Sequence, residues 1–475
     1  KYINNTEIAD SEELVEFSRE NITGKSFGAI VNIKAKTLDL LKDVEIDAQN
    51  GDSYGELAKT DVRHAKIKSG RAYIDQIAEK IKLEQGVDIA LTPKSENSRS
   101  LSQPTDIKAD SAIAYFSDKE IRKLDLNGNV DVYQKPTSTN PSWMKTKANR
   151  AIATVDQELK KLELYENVEI ETIRDDSKPT KILAGSAIYD KASDLFDLEN
   201  KVEIITVEDT KPTKIKSAKA LYRQASGKLT LSGNAEIFQG EDVVRGEIID
   251  AELFPNRKLQ FARARGNAFL KQKTSERTTE INAVELNATF GLNELIKDAN
   301  AIGKSEVVIL PVNSGDFTKF GMKASTAINL DFRNDGTLSN LKTEGRTTIK
   351  LNAPNNSEAA ANKELTADSI NTVLHPNGQE LATAKATGNA ELVVTPIRSS
   401  SKNYKTVVTA PRFDCDFYSG NNAKSCSSKG RSKALRTPTV GGKSKQTLTA
   451  SGLDAIFDKT NQGVERFEAS GKAKF

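Results

Sequence analysis

The sequence predicts an all-β fold: an elongated repeat β-jelly roll in which two facing antiparallel sheets join along a seam, leaving an open, V-shaped apolar groove. Three observations predict it. Apolar and polar residues alternate with period two, a glycine or small polar residue interrupts the alternation at its centre, and the interrupted phrase returns twelve times in 475 residues.

The stretch "KLTLSGNAEIFQG" (228–240) shows the phrase at its clearest. Leu229, Leu231, Ala235 and Ile237 share one parity, and Thr230, Ser232, Asn234 and Glu236 share the other. That is the pattern of a half-buried strand. Gly233 sits between them on the apolar parity, where it packs nothing and weakens the strand. The same slot is Lys42 in "LDLLKDVEID", Gln85 in "IKLEQGVDIA", Gly128 in "LDLNGNVDVY", Glu166 in "LELYENVEIE" and Asn200 in "FDLENKVEII". After Gly233 it is Gly266, Gly303, Gly345, Gly388, a degenerate Gly430 and Gly471, so that copies lie 33 to 43 residues apart. A period in that range signals stacked units that bury a face only against their neighbours.

From the N-terminus onward, residues 1–25 stand apart. "DSEELVEFSREN" opens on Asp and Ser with early acids, and is open to two readings: one short helix, or the remains of an earlier repeat. Residues 26–475 read as one continuous stack of about twelve repeats. Each repeat is two extended segments separated by turn signals such as "DKASD", "FPNRK", "RNDGT", "HPNGQ" and "DKTNQG". Longer inserts at 92–106, 135–143, 352–364 and 436–446 read as loops at one edge of the stack, because the repeat resumes in step after each. The chain begins on Lys with no signal-like region, and its last copy stops at Phe475. The expectation is a segment of a longer protein, with any signal or membrane anchor outside it.

The central glycine has a mechanical reading. A small residue at the slot lets the strand bend sharply with no side chain blocking the inside of the corner. Each long strand then becomes two arms, one in each facing sheet. The inward column two residues before the slot is Leu40, Leu83, Leu126, Leu164, Leu198 and Leu231, then the smaller Ala264, Ala301, Thr343, Ala386 and Ala469. The change from Leu to Ala suggests a groove that leaves space in the C-terminal half, since a packed core needs volume. The candidate lining is therefore Leu126, Val130, Val132, Leu164, Val168, Ile170, Leu198, Val202, Ile204, Leu231, Ala235, Ile237, Ala268, Leu270, Val307, Ile349 and Leu392.

Composition narrows the function. Lys plus Arg is 69 against 66 for Asp plus Glu, with no basic stripe, so nucleic acid is a poor partner. A hydrophobic content of 37% suits thin sheets with one wet face, and no run approaches a membrane span. Cys415 and Cys426 sit on the inward parity of neighbouring strands joined by the "YSGNNAKS" turn. A disulfide between them would imply an oxidising compartment; the competing reading is two free buried thiols.

The inventory for catalysis is nearly empty. His64 and His375 are the two histidines, and no His-x-x-x-His, Cys-x-x-Cys, nucleophile elbow or phosphate-cradling loop is present. The expectation is no enzyme, no metal and no cofactor. Asp131, Glu169, Glu203 and Glu236 recur at one outward slot, which reads as a solvated face rather than paired catalytic acids. Trp143 sits in an insert as a local anchor, and Tyr115, Tyr189, Tyr222, Phe290, Phe332 and Phe457 read as structural plugs.

The segment 218–270, "AKALYRQASGKLTLSGNAEIFQGEDVVRGEIIDAELFPNRKLQFARARGNAFL", resembles the OstA-like repeats of the lipopolysaccharide-transport proteins LptA, LptC and the N-terminal domain of LptD. The shared phrase is Ala…Ala-x-Tyr, a turn, Leu-x-Leu-x-Gly-Asn-x-x-Ile, then Gly-x-x-x-x-x-Gly. It also appears at Ser186–Thr206 and Ala109–Tyr133, and loosely over 26–475. The resemblance implies a periplasmic β-jelly roll whose groove carries lipopolysaccharide, or another acyl lipid. It also implies end-to-end stacking with other jelly-roll transport proteins, between an inner-membrane transporter and an outer-membrane translocon. The chain has more repeats than a single LptA-type protein. A different class competes: a structural β-solenoid of a surface or filament, whose interior is a filled core. The two differ in whether the inside is open.

Overall fold

The computed structural model describes residues 2–3, 7–19, 21–49, 62–95, 102–117, 120–156, 158–173, 179–208, 211–256, 258–313, 317–355, 360–400, 403–441, 444–459 and 464–475. Parts of three expected inserts (96–101, 356–359 and 442–443) and of the "DKTNQG" turn (460–463) lie outside the described residues. The fold is all-β, with no helix among the described residues. Strands run antiparallel, mostly against the strand next in sequence. The chain divides into two compact units, residues 1–233 and 234–475.

In the first unit, strand Glu120–Gln134 pairs with Trp143–Asp156, which pairs with Glu158–Ile173, then Thr180–Asp190, Leu195–Glu208 and Lys211–Arg223. Every second strand carries the interrupted phrase, and each interruption is a β-bulge. Between Glu120–Gln134 and Trp143–Asp156 the register moves from Ala148↔Val130 to Arg150↔Asn127, so Gly128 and Asn129 together oppose Asn149. The same two-against-one step falls at Glu166–Asn167 and at Asn200–Lys201.

The corner is built from left-handed residues, a feature that alternation alone does not reveal. Gly128 has φ +75° and Asn129 φ +45°. A Cβ on Gly128 would also lie 2.1 Å from Asp110 Oδ2, so glycine answers both a conformational and a steric demand there. Where the slot keeps a side chain, the facing strand supplies the small residue instead. Asn200 is left-handed at φ +66°, and a Cβ on Gly185 opposite would lie 2.6 Å from its Cβ.

In the second unit several bends are sharp enough to divide the strand. Ile296–Ile302 and Ser305–Pro311 flank Gly303, and Lys319–Ala324 and Ala327–Phe332 flank the facing bend. The arm before Gly303 pairs with the arm after the facing bend (Ile296–Ile302 with Ala327–Phe332), and the arm after Gly303 pairs with the arm before that bend (Ser305–Pro311 with Lys319–Ala324). Side chains from the two sets then share one apolar cluster, in which Ile328 and Leu330 of one set pack with Met322, Phe320 and Ile349 of the other. This is the bent-strand jelly roll, with two sheets meeting at the line of bulges.

The short-helix reading of residues 1–25 is corrected. Ile8–Arg19 is a strand paired with Ile22–Asn32, and its register steps between Ser11 and Leu14 opposite Gly28, at φ +76°. The acids that mimic a helix start are outweighed by tertiary pairing, which satisfies the backbone and buries Ala29 against Leu40 of the next strand. The expected turn "DKASD" closes as an Asx turn, in which the Asp190 carboxylate accepts the backbone N–H of Ser193 at 3.0 Å.

Candidate functional site

The predicted lining residues all face the inside of the bend, but the structure sorts them by depth. Those two residues from the corner are buried: Leu126, Val130, Leu164, Val168, Leu198, Val202, Leu231, Ala235 and Ala268. Those four residues beyond it are half-buried: Val132, Ile170, Ile204, Ile237, Leu270, Val307, Ile349 and Leu392. The first set fills the apex of the V. The second set forms its wall, apolar yet open to solvent along part of each side chain.

A wall is made of more than one strand in two. Ile182 stands opposite both Ile170 and Ile204, Ile281 opposite Leu270 and Val307, Leu365 opposite Ile349 and Leu392, and Val408 opposite Leu392. These half-buried residues continue the apolar row across neighbouring strands, and aligning the chain only on the glycine-bearing strand misses them. Aligning the intervening strand on its own bulge would have found them.

The same second column corrects the inference drawn from the change of Leu to Ala. In the first unit apex leucines face alanine on both sides, as Leu126 faces Ala112 and Ala151, and Leu164 faces Ala151 and Ala187. In the second unit the sizes exchange strands. Ala264 faces Ile249 and Leu286, Ala301 faces Leu286 and Ile328, and Ala386 faces Ile370 and Phe413. Small residues on the glycine-bearing strands therefore leave no extra room, because the adjoining strands restore the volume. Ile249, Ile328, Ile370 and Phe413 are all buried.

The second unit also places hydroxyls at the apex. Ser305, Thr347 and Ser432 each lie two residues past the corner and are buried. Each donates its hydroxyl to the carbonyl of the corner glycine, Ser305 to Gly303 at 2.9 Å, Thr347 to Gly345 at 3.0 Å and Ser432 to Gly430 at 2.9 Å. A bulge takes backbone groups out of the ladder, and a buried carbonyl needs a donor.

The outward carboxylates sit on charged outer faces. Asp131 pairs with Lys145 at 3.5 Å, Glu169 with Lys181 at 2.6 Å, Glu203 with Lys214 at 2.6 Å and Glu236 with Arg245 at 2.9 Å. On the other arm Asp125 is almost fully buried beneath Arg150, which donates Nε–H at 3.0 Å and Nη2–H at 2.7 Å. Those bonds hold the Asp125 carboxyl below its ordinary range, against the opposing effect of burial. His64 bonds Asp47 at 2.8 Å on the outer face, and no group of three or more His, Cys, Asp or Glu among the described residues could hold a metal ion.

Cys415 and Cys426 are directly opposite in register and form a disulfide, with Cα atoms 4.1 Å apart. The pair is half-buried rather than fully buried. Among the described residues no helix is long and apolar enough to cross a membrane.

Compared with known proteins, the chain matches no family model and no curated relative.

Proposed function

We propose that this protein is a non-enzymatic lipid-binding bridge, which holds acyl chains against the inner walls of the V and passes them along similar sites. The observation that carries this reading is the half-exposed apolar wall of Val132, Ile170 and Ile204 in one unit and Ile237, Leu270, Val307, Ile349 and Leu392 in the other, above a packed apex. An apolar row left partly in water gains by taking up apolar surface, at ~0.8 kcal/mol per methylene buried. Repetition of the row offers many sites of similar strength, which is what movement of a bound chain requires. The resemblance to OstA-like repeats supports lipopolysaccharide, or a related lipid, as cargo. It also supports other jelly-roll proteins, an inner-membrane transporter and an outer-membrane translocon as partners. The disulfide supports an oxidising compartment such as the periplasm.

A second reading has its own observation. The exchange of large and small residues keeps the apex filled in both units, as a structural β-solenoid would require. The two readings part at the wall. A photo-crosslinking residue at Ile237 should capture lipid in cells, while one at outward Glu236 should not. Ile237→Arg should block lipid capture at neighbouring wall positions with little loss of folding, because a half-exposed site lets the long side chain reach water. Equal capture at both positions, or unfolding on Ile237→Arg, would leave the structural reading in place.

A further inference from the structure

The sequence marks Trp143 and the inserts at 92–106 and 135–143 as features with no part in the repeat, and the structure brings residues 103–106 and 135–143 together in the first unit. There, Asp106, Tyr133, Lys145 and Glu171 form one row across four strands, each opposite the next in register. Lys108 and Asp131 form the next row. Trp143 lies two residues before Lys145 on the same strand, opposite Ile173, with its ring edge-on to Tyr133 and centroids 6.4 Å apart. Together these residues line a cleft of about 380 Å³.

The cleft is held in shape by the inserts. Buried Gln103 donates its side-chain N–H to the carbonyl of Ser142 at 2.7 Å, and the Lys135 N–H bonds the carbonyl of Pro104 at 2.8 Å. The 135–142 loop is braced from within, the Asn140 N–H bonding Thr137 Oγ1 at 3.0 Å and the Ser142 N–H bonding Asn140 Oδ1 at 3.1 Å. The Thr172 hydroxyl bonds the carbonyl of Trp143 at 3.0 Å, fixing the residue that carries the indole. Here two aromatic rings in contact are set among the opposite charges of the outer face.

We propose that this cleft binds a neutral saccharide. Three carboxylates against two ammonium groups leave the lining with little net charge, which favours neither an anion such as phosphate nor a polycation. Carboxylates accept and ammonium groups donate, so alternating acids and lysines meet the hydroxyls of a polyol in both senses. The faces of Trp and Tyr offer apolar area with a polar edge, matching the C–H faces of a pyranose ring. The site is independent of the acyl-binding wall, which lies on the opposite face of the same strands.

Trp143 is the one tryptophan in the chain, so indole fluorescence of the intact protein reads this cleft alone. The experiment titrates glucose, galactose, N-acetylglucosamine and their disaccharides, with inorganic phosphate and spermine as charged controls. The expected result is a saturable change with at least one sugar at a Kd of about 1 mM or tighter. Tyr133→Ala or Asp131→Asn should weaken it about tenfold. Asp131→Asn keeps the shape of the outer face and so remains informative if the loss of Tyr133 disturbs folding. No saturable response to any sugar, equal binding of a charged control, or a sugar response untouched by both substitutions would overturn the proposal.

Discussion

Left-handed corner residues are the smallest unit on which the bend depends, and they are not equally suited to it. Gly128 and Gly233 occupy the left-handed region without cost, and Asn tolerates it, but Glu166 at φ +59° and Lys201 at φ +61° bear a Cβ penalty of about 1 kcal/mol each. Glycine at those two positions relieves that strain while adding freedom to the unfolded chain, so Glu166→Gly and Lys201→Gly should each be neutral to stabilising by up to about 1 kcal/mol. Gly128→Ala should destabilise by about 1–2 kcal/mol, because the new methyl meets both an unfavourable φ and the Asp110 side chain. Urea midpoints of the three variants test this, and a corner indifferent to all of them would mean that the bulge does not set the bend. The hydroxyls of Ser305, Thr347 and Ser432 act at the same scale, each closing the carbonyl that its own corner exposes.

At the scale of one strand, depth in the V should be measurable with a single residue type. Leu164 lies two residues before its corner and is buried, while Leu162 lies four before it and is half-buried. Leu164→Ala should cost about 2–4 kcal/mol, as a cavity in a packed apex does, whereas Leu162→Ala should cost about 1 kcal/mol, since its site is already open to water. Hydrogen exchange of Glu158–Ile173 reads both, and equal costs would mean that the two arms close on each other. Much of the strand was legible before the structure. Parity alone identified the inward residues Leu126, Val130 and Val132 and the outward Asp131. Parity says which face a residue takes but not how far it sits from the apex, so Val130 and Val132 looked alike. The compensation of Ala301 by Ile328 stayed hidden because it resides on the neighbouring strand, paired through space rather than through the phrase. The N-terminal strand Ile8–Arg19 was obscured because acids near a chain start suit a helix cap as well as an exposed strand.

At the scale of the molecule, the strands around the disulfide pair with their sequence neighbours, which confines damage to where it is done. The disulfide joins Tyr404–Phe417 to Ala423–Pro438 across a separation of 11 residues. Closing so short a loop contributes about 3 kcal/mol on chain-entropy grounds. Replacing both cysteines by serine should therefore speed hydrogen exchange in those two strands and in Gln446–Phe457, and leave Glu158–Ile173 unchanged. Loss of protection throughout the chain would contradict a stack held together by nearest neighbours.

The exchange of large and small apex residues between strands also bears on how such a chain can lengthen. A duplicated repeat from 62–231 brings leucine on its second strand and alanine on its first, so it restores the same order wherever leucine-bearing repeats continue. Inserted among repeats of the other order, it would set leucine beside isoleucine at one junction and alanine beside alanine at the other. One junction would be overfilled and the other left hollow, each costing about 1–3 kcal/mol. Growth by duplication is thus free within a stretch of one order and penalised across the exchange, which acts as a genetic reading frame written in side-chain volume.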